Sequence, residues 1–386
     1  MTDPSSLIGN ADEFPILRDW HFFNHAGVAP IPRCGGDALR QYASQAESSA
    51  YVGAGWYANL DELRKLTAKL INAESSEIAL VKNTSEGIAT VARGLTWRPG
   101  DRIVTTAIEY PANIYPWMDV AKREGVELIM IGEEADPHGR RHVALDKILE
   151  AAAHPRTRLV ALSHVQFASG QRLDIARIGQ FCRKREVLFC CDAIQSLGIL
   201  PVDVQAMNID FLAADGHKWL LGPEGAGVFF IRRDLLDIIH PPQIGWANVI
   251  NAQDYGTYDF TFRPDAARYE SGTPNIPGFL ALKASMELLM SVGIDTITSR
   301  IKSLTDRLEN GLIEKGYAVI SPRQNVDWSG SIAFISPTHD LAQLARRLRK
   351  DLRIELALRE GRLRCSPHFY NTEAQIDHLI DVLPGH

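Results

Sequence analysis

The sequence predicts an α/β protein: a large domain on a mostly parallel seven-stranded sheet, then a smaller α+β C-terminal domain. Three observations predict it. Seven short apolar runs alternate with helical stretches, the signature of a parallel sheet covered on both faces. Most of the runs are continuously apolar, as strands buried on both sides must be. After about Asn275 the alternation stops, and two long helical patterns lead into a mixture of short strands and helices.

In chain order, residues 1–20 are expected to be an N-terminal segment packing with the small domain, 21–275 the large domain and 276–386 the small one. Gly27, Pro30, Pro32, Gly35 and Gly36 punctuate the start, and Leu60, Leu63, Leu66, Leu70 and Ile71 then recur at helical spacing. The predicted strands are Ile78–Val81, Arg102–Thr105, Val126–Ile131, Leu159–Ser163, Val187–Cys191, Phe211–Ala214 and Val228–Ile231. Helical stretches at Ser85–Leu95, Asn113–Arg123, Ala144–Ala152 and Ile175–Arg185 separate most of them. The small domain reads as helices over Phe279–Met290 and Thr296–Lys315, strands at Ala318–Ile320 and Ser331–Ile335, and a helix over Leu341–Leu352. A hairpin over Glu355–Arg364 and a last helix from Glu373 complete it.

Composition narrows the function. With 386 residues, 45% hydrophobic and 23% charged, the chain has ample material for a full core. There are 41 Lys+Arg against 47 Asp+Glu, a net charge of −6. The one basic cluster, Arg346, Arg347, Arg349 and Lys350, reads as the solvated face of a helix, so nucleic-acid binding has no support. No stretch approaches the ~18 apolar residues of a membrane span. Met1–Phe14 lacks the basic start and apolar run of a signal peptide. The five cysteines (Cys34, Cys182, Cys190, Cys191, Cys365) form no Cys-x-x-Cys pair, and their odd number fits reduced thiols. A cytoplasmic enzyme without metal, nucleic-acid or membrane partner is expected.

Ligands of such sheets sit at the carboxyl ends of strands. Lys218 follows a predicted strand in Ala213-Ala214-Asp215-Gly216-His217-Lys218-Trp219, and a glycine-rich run comes after it. Partial desolvation there favours a neutral, nucleophilic amine, suited to a Schiff base. The glycine run leads into a strand, not a helix, so it is not a dinucleotide loop. Asp192 follows Val187–Cys191 at a strand end. A buried carboxylate there can partner the pyridine nitrogen of pyridoxal 5′-phosphate (PLP), although it could equally cap the next helix. Gln195 lies one helical turn on, within reach of a ring hydroxyl.

Asp192-Ala193-Ile194-Gln195 followed by Gly216-His217-Lys218 resembles the class V aminotransferase family of fold type I PLP enzymes. The resemblance extends over nearly the whole chain. It implies that Lys218 is the Schiff-base lysine, Asp192 the pyridinium partner, Gln195 the neighbour of the phenolic oxygen and His217 a phosphate or cofactor contact. Asn83-Thr84-Ser85-Glu86-Gly87 resembles the phosphate cradle, with Thr84 and Ser85 at a helix start that suits an anion. Tyr110 stands where the family places the aromatic residue stacked on the cofactor ring. Phe167 stands where some relatives carry Asn, so that contact is absent or falls to Gln166. Asp215 replaces a serine common in the family, and repulsion from a phosphate is expected to turn it elsewhere. Ser271-Gly272-Thr273 resembles a loop that reaches the other subunit's phosphate through Thr273, which implies a homodimer with shared sites. Asn24 and His25 resemble the turn lining the substrate side. Arg364, in Arg364-Cys365-Ser366-Pro367-His368, resembles the arginine that grips a substrate carboxylate; Arg359 and Arg362 are its rivals.

The family catalyses several reactions on amino acids. Desulfurases need a mobile cysteine shortly before the carboxylate-binding arginine, and Ala357–Arg362 has none. Cys365 should alternate to the strand face opposite Arg364. The resemblance to the epimerase- and aminotransferase-like branch ranks aminotransfer first, β-elimination or C–S lysis second and epimerisation third. A catalytically silent PLP-binding regulator is the distant alternative.

Overall fold

The computed structural model describes residues 4–137, 139–324 and 326–385. Its centre is a seven-stranded sheet: β1 (Ile78–Val81), β2 (Arg102–Thr106), β3 (Glu127–Ile131), β4 (Thr157–Ser163), β5 (Leu188–Asp192), β6 (Phe211–Asp215) and β7 (Gly227–Ile231). The spatial order is β1-β7-β6-β5-β4-β2-β3. Pairing is parallel from β3 across to β6, and β7 runs antiparallel to both β6 and β1. The mostly parallel α/β architecture expected from the alternating pattern is the one observed.

Period-two alternation divides these strands between two cores. Val160, Leu162, Phe189, Cys191, Leu212 and Val228 face one side, and Leu159, Ala161, Leu188, Cys190, Phe211 and Phe229 face the other. Both sets are buried, which is why the runs read as continuously apolar. Each large side chain withdrawn from water contributes roughly 1.5–3 kcal/mol before chain entropy is counted. The edge strand β3 is the exception: Glu127 and Met130 are exposed there.

Helix α1 (Ile276–Val292) corrects the expected domain border at 275/276. It packs against the helices Arg33–Ser48 and Trp56–Ile71. Ile276, Phe279, Leu282, Met286 and Leu289 share the core of Val160 and Leu212. A helix this apolar all round must lie between layers, which overrides the change of style seen in the sequence. Helix α2 (Ile294–Glu314) carries the transition. Ile297 and Ile301 belong to the large core, while Leu304, Leu308 and Leu312 pack with Ile332, Phe334, Leu363 and Cys365 of the small one. The two helices meet at 80° around Gly293, whose φ of +92° suits a residue without Cβ. Among the described residues no single helix is long and apolar enough to cross a membrane.

The small sheet has the order β8-β9-β11-β10, from β8 (Ala318–Val319), β9 (Ile332–Ile335), β10 (Ala357–Arg359) and β11 (Arg362–Cys365). β10 and β11 join through Glu360-Gly361, both at positive φ (49° and 73°), as a two-residue primed hairpin turn requires. His21–Phe22 adds a parallel pairing to Ile354–Glu355, and Phe14 stacks on Tyr370 at 3.8 Å. The N-terminal stretch is thereby tied to the segment that follows β11.

Candidate active site

A cavity of about 620 Å³ opens at the carboxyl ends of β5 and β6, between the large sheet and the β10–β11 hairpin. Nine of the twelve residues singled out from sequence line it: Asn24, Thr84, Ser85, Tyr110, Asp192, Gln195, His217, Lys218 and Arg364. They come from segments up to 340 residues apart, which only the fold brings together.

Asp192 ends β5 and is buried. Its Oδ1 accepts from the backbone N–H of Ile194 at 3.0 Å, so it braces a turn; no helix begins there. Burial pushes its carboxyl above the usual carboxylate range, and Glu109 adds to this against the N–H of Ile194 and the charge of Lys218. Lys218 lies three residues beyond β6. Burial lowers its proton affinity, aided by Arg364 and opposed by Asp192. Its Nζ stands 5.5 Å from the ring centre of Tyr110, which meets Phe167 edge-on. Lys218 can therefore present a neutral amine above an aromatic face.

The turns around these groups are held tightly. Trp219 Nε1 donates to Gln195 Oε1 at 3.0 Å, and Gln195 Nε2 donates to the Ala26 carbonyl at 3.0 Å. Gly198 permits this: a Cβ there would lie 2.5 Å from the Trp219 carbonyl oxygen. Thr84 opens the helix Thr84–Gly94, whose first turn is capped by Asn83 accepting from Glu86 N–H at 2.9 Å. Thr84 Oγ1 also accepts from the backbone N–H of Asp215 at 3.0 Å, which fastens the helix start to the end of β6.

Three expected site residues do not line the cavity. His25 is wholly buried, with Nδ1 2.8 Å from the Ser366 carbonyl and Nε2 2.6 Å from the Tyr370 hydroxyl, so it joins the N-terminal stretch to the segment after β11. Gln166 donates to Glu109 at 2.8 Å, and Phe167 takes the cavity wall in its place. Thr273 is exposed outside the cavity. The expectation for Asp215 is corrected. Asp215 does not turn away: it lines the cavity with Oδ2 3.0 Å from His217 Nδ1.

Sequence reasoning missed Glu109. Its buried carboxylate accepts from Thr106 Oγ1, Asn113 Nδ2, Ser163 N and Oγ, and Gln166 Nε2. It anchors the turn that carries Tyr110. Its place beside the tyrosine was visible, but five donors from three segments were not.

Arg364 is almost completely buried. Nη1 donates to the Phe167 carbonyl and Nη2 to Asn24 Oδ1 at 3.4 Å. Nε has no partner among the described residues, and no acid pairs with the group. Burial first, and Arg359 second, weaken its hold on its proton. An uncompensated buried guanidinium is costly unless an anion joins it.

These groups suit PLP. The cradle at Thr84–Ser85 offers helix N–H groups to a phosphate, Asp192 lacks any cationic hydrogen-bond partner and Lys218 supplies an amine. The volume is ample for a cofactor and a small substrate.

Comparison with known proteins agrees. The family model described as aminotransferase class-V matches residues 21–379. A probable cysteine desulfurase of Pyrococcus abyssi (strain GE5 / Orsay) is 32% identical, over 96% of this chain and 95% of the relative. The apo structure of a cysteine desulfurase from Thermococcus onnurineus NA1 superposes with a TM-score of 0.88 at 27% identity, covering 99% of this chain and 97% of that one. A complex of the cystine C–S lyase C-DES with its reaction product cysteine persulfide gives 0.85 at 26% identity, over 95% and 98% of the two chains.

Proposed function

Because the chain belongs to the class V aminotransferase family of fold type I enzymes, with PLP as its cofactor, we propose that it is a C–S lyase acting by β-elimination on a cysteine-type amino acid. One observation carries the choice: none of the five cysteines lines the cavity. Cys365 follows Arg364 directly but packs into the small-domain core with Leu363 and Phe334. A reaction that parks sulfur on an enzyme thiol has no thiol to use. β-Elimination needs none, since the sulfur leaves with its substituent. The desulfurase names among the relatives and the lyase activity named for C-DES support cleavage at this bond. Aminotransfer, ranked first from the sequence, is named for an uncharacterized aminotransferase of Bacillus subtilis (strain 168) at 27% identity, and the desulfurase and lyase names back C–S cleavage better.

Each residue has a task in this reading. Arg364 holds the substrate α-carboxylate through its free donors. Lys218, whose proton affinity burial lowers, takes the proton from Cα. With PLP bound, Asp192 would balance positive charge on the ring nitrogen, Tyr110 would cover the ring, Gln195 would lie beside its phenolic oxygen, and Thr84, Ser85 and His217 would hold the phosphate. PLP, when bound, supplies the electron sink for carbanion chemistry. The sum is R–S–CH₂–CH(NH₃⁺)–COO⁻ plus water giving R–SH, pyruvate and ammonium. Thr273, exposed on a loop outside the cavity, supports a site completed by a second copy of the chain.

The test is product analysis with L-cystine and S-alkyl-L-cysteines. Equimolar pyruvate, ammonia and thiol or persulfide support the proposal. Alanine with sulfane sulfur would mark a desulfurase, and a keto acid retaining the sulfur would mark an aminotransferase; either sinks it.

A further inference from the structure

We propose that Arg359 is the specificity residue of this cavity and that it reads a second negative charge at the far end of the substrate side chain. The inference rests on the C–S lyase reading only for the identity of the leaving group.

The hairpin register carries the argument. Ala357 pairs with Arg364 and Arg359 with Arg362 across β10 and β11, while Leu358 pairs with Leu363. Directly opposed residues share a face. Leu363 and Cys365 turn into the small-domain core, so Arg359, Arg362 and Arg364 lie together on the other face. The three guanidinium groups part from there. Arg362 turns to Glu133, with Nη2 3.6 Å from Oε2, and does not line the cavity. Arg364 lies deep, against Phe167 and Asn24. Arg359, next to the turn, lines the cavity, and its one hydrogen bond among the described residues is Nη1 to the Leu358 carbonyl at 2.9 Å.

No acid engages Arg359 in an ion pair among the described residues. Four acids share the cavity wall. Asp192 sits at the end of β5, and Asp215 faces His217. Glu355 is held by Arg349 at 2.5 and 2.6 Å. Glu224 is exposed and makes no ion pair among the described residues. Arg359 also lowers the proton affinity of both Lys218 and Arg364, so its charge is felt by both. The phosphate cradle at Thr84–Ser85 belongs to another element, the N-terminus of a helix on the large sheet. Two guanidinium groups on one hairpin face fit a substrate with two anionic groups: an α-carboxylate for Arg364 and a carboxylate or sulfonate beyond the sulfur for Arg359.

The test compares S-(2-carboxyethyl)-L-cysteine with its distal carboxamide, which keeps the shape and removes the charge. The wild-type holoenzyme should favour the acid by about 30-fold in kcat/KM. In Arg359→Gln the ratio should fall towards one, and Arg359→Lys should restore part of it. A wild-type ratio near one, or a ratio unmoved in Arg359→Gln, overturns the proposal. A raised Kd for PLP in Arg359→Gln with the ratio intact assigns the residue to the cofactor phosphate and also overturns it. Binding of sulfur-free L-2-aminopimelate and its distal amide, followed through the cofactor absorbance, separates this proposal from the lyase reading. A preference for the diacid that Arg359→Gln abolishes upholds the second-anion site even if no C–S bond is cleaved.

Discussion

The Trp219 indole N–H and the Ala26 carbonyl demand the same orientation of the Gln195 amide. An indole only donates and a carbonyl only accepts, so Oε1 must face Trp219 and Nε2 must face Ala26. One amide proton is left for the cavity. Trp219→Phe strands the buried oxygen and releases the constraint. The expected cost is about 1–3 kcal/mol of unfolding free energy, with weaker PLP binding. Urea unfolding and titration of the apoenzyme with PLP check the two effects. Unchanged PLP affinity would show that the amide orientation does not serve the cofactor.

Lys218→Ala should abolish covalent attachment of the cofactor while leaving the cavity folded. Borohydride fixation of the wild type followed by peptide mapping should place PLP on Lys218. An adduct on another lysine would refute the assignment.

Asp192→Asn should act on chemistry more than on affinity. The hydrogen bond from Ile194 N–H survives the change, so the turn holds. The charge proposed to face the ring nitrogen does not. The chemical step should slow on the order of 100-fold, a larger factor than the change in Kd for PLP. Single-turnover rates set beside cofactor titration decide it.

Arg364→Lys keeps a charge and loses the fork that fits a carboxylate. KM for amino-acid substrates should rise on the order of 30-fold or more. Turnover of the matching decarboxylated amine should change little. An equal loss on both would mean that Arg364 holds the structure and not the carboxylate.

The thiols should be inert. Burial, with Glu13 second, pushes Cys34 up to about 12, and burial, with Asp210 second, pushes Cys182 up to about 12. Cys190, Cys191 and Cys365 are raised as well, chiefly by burial. A raised thiol pKa leaves less thiolate at any lower pH, and the thiolate is the reactive form. Iodoacetamide at pH 7.5 should therefore leave activity intact, and thiol titration should be slow until urea is added. Rapid inactivation tied to one alkylated cysteine would reopen the desulfurase reading.

The sequence by itself determined the sheet, because strands buried on both faces must be written in runs such as Val187–Cys191 and Phe211–Ala214. It also determined Asp192 and Lys218, because a group at a strand end meets the ligand crevice whatever the loops do. Tertiary structure decided what depends on partners distant in the chain. Helix α1 looked like the start of the small domain until its neighbours showed it in the large core. His25 looked like a substrate contact until Ser366 and Tyr370 took both ring nitrogens. Asp215 looked set to turn away until the fold placed it on the cavity wall. Alternation placed Arg362 and Arg364 on one strand face but could not choose between them; Glu133, more than 200 residues away, draws Arg362 out of the cavity. Periodicity is a local property of the chain, whereas the direction of a charged side chain is set by which opposite charge the fold brings within reach.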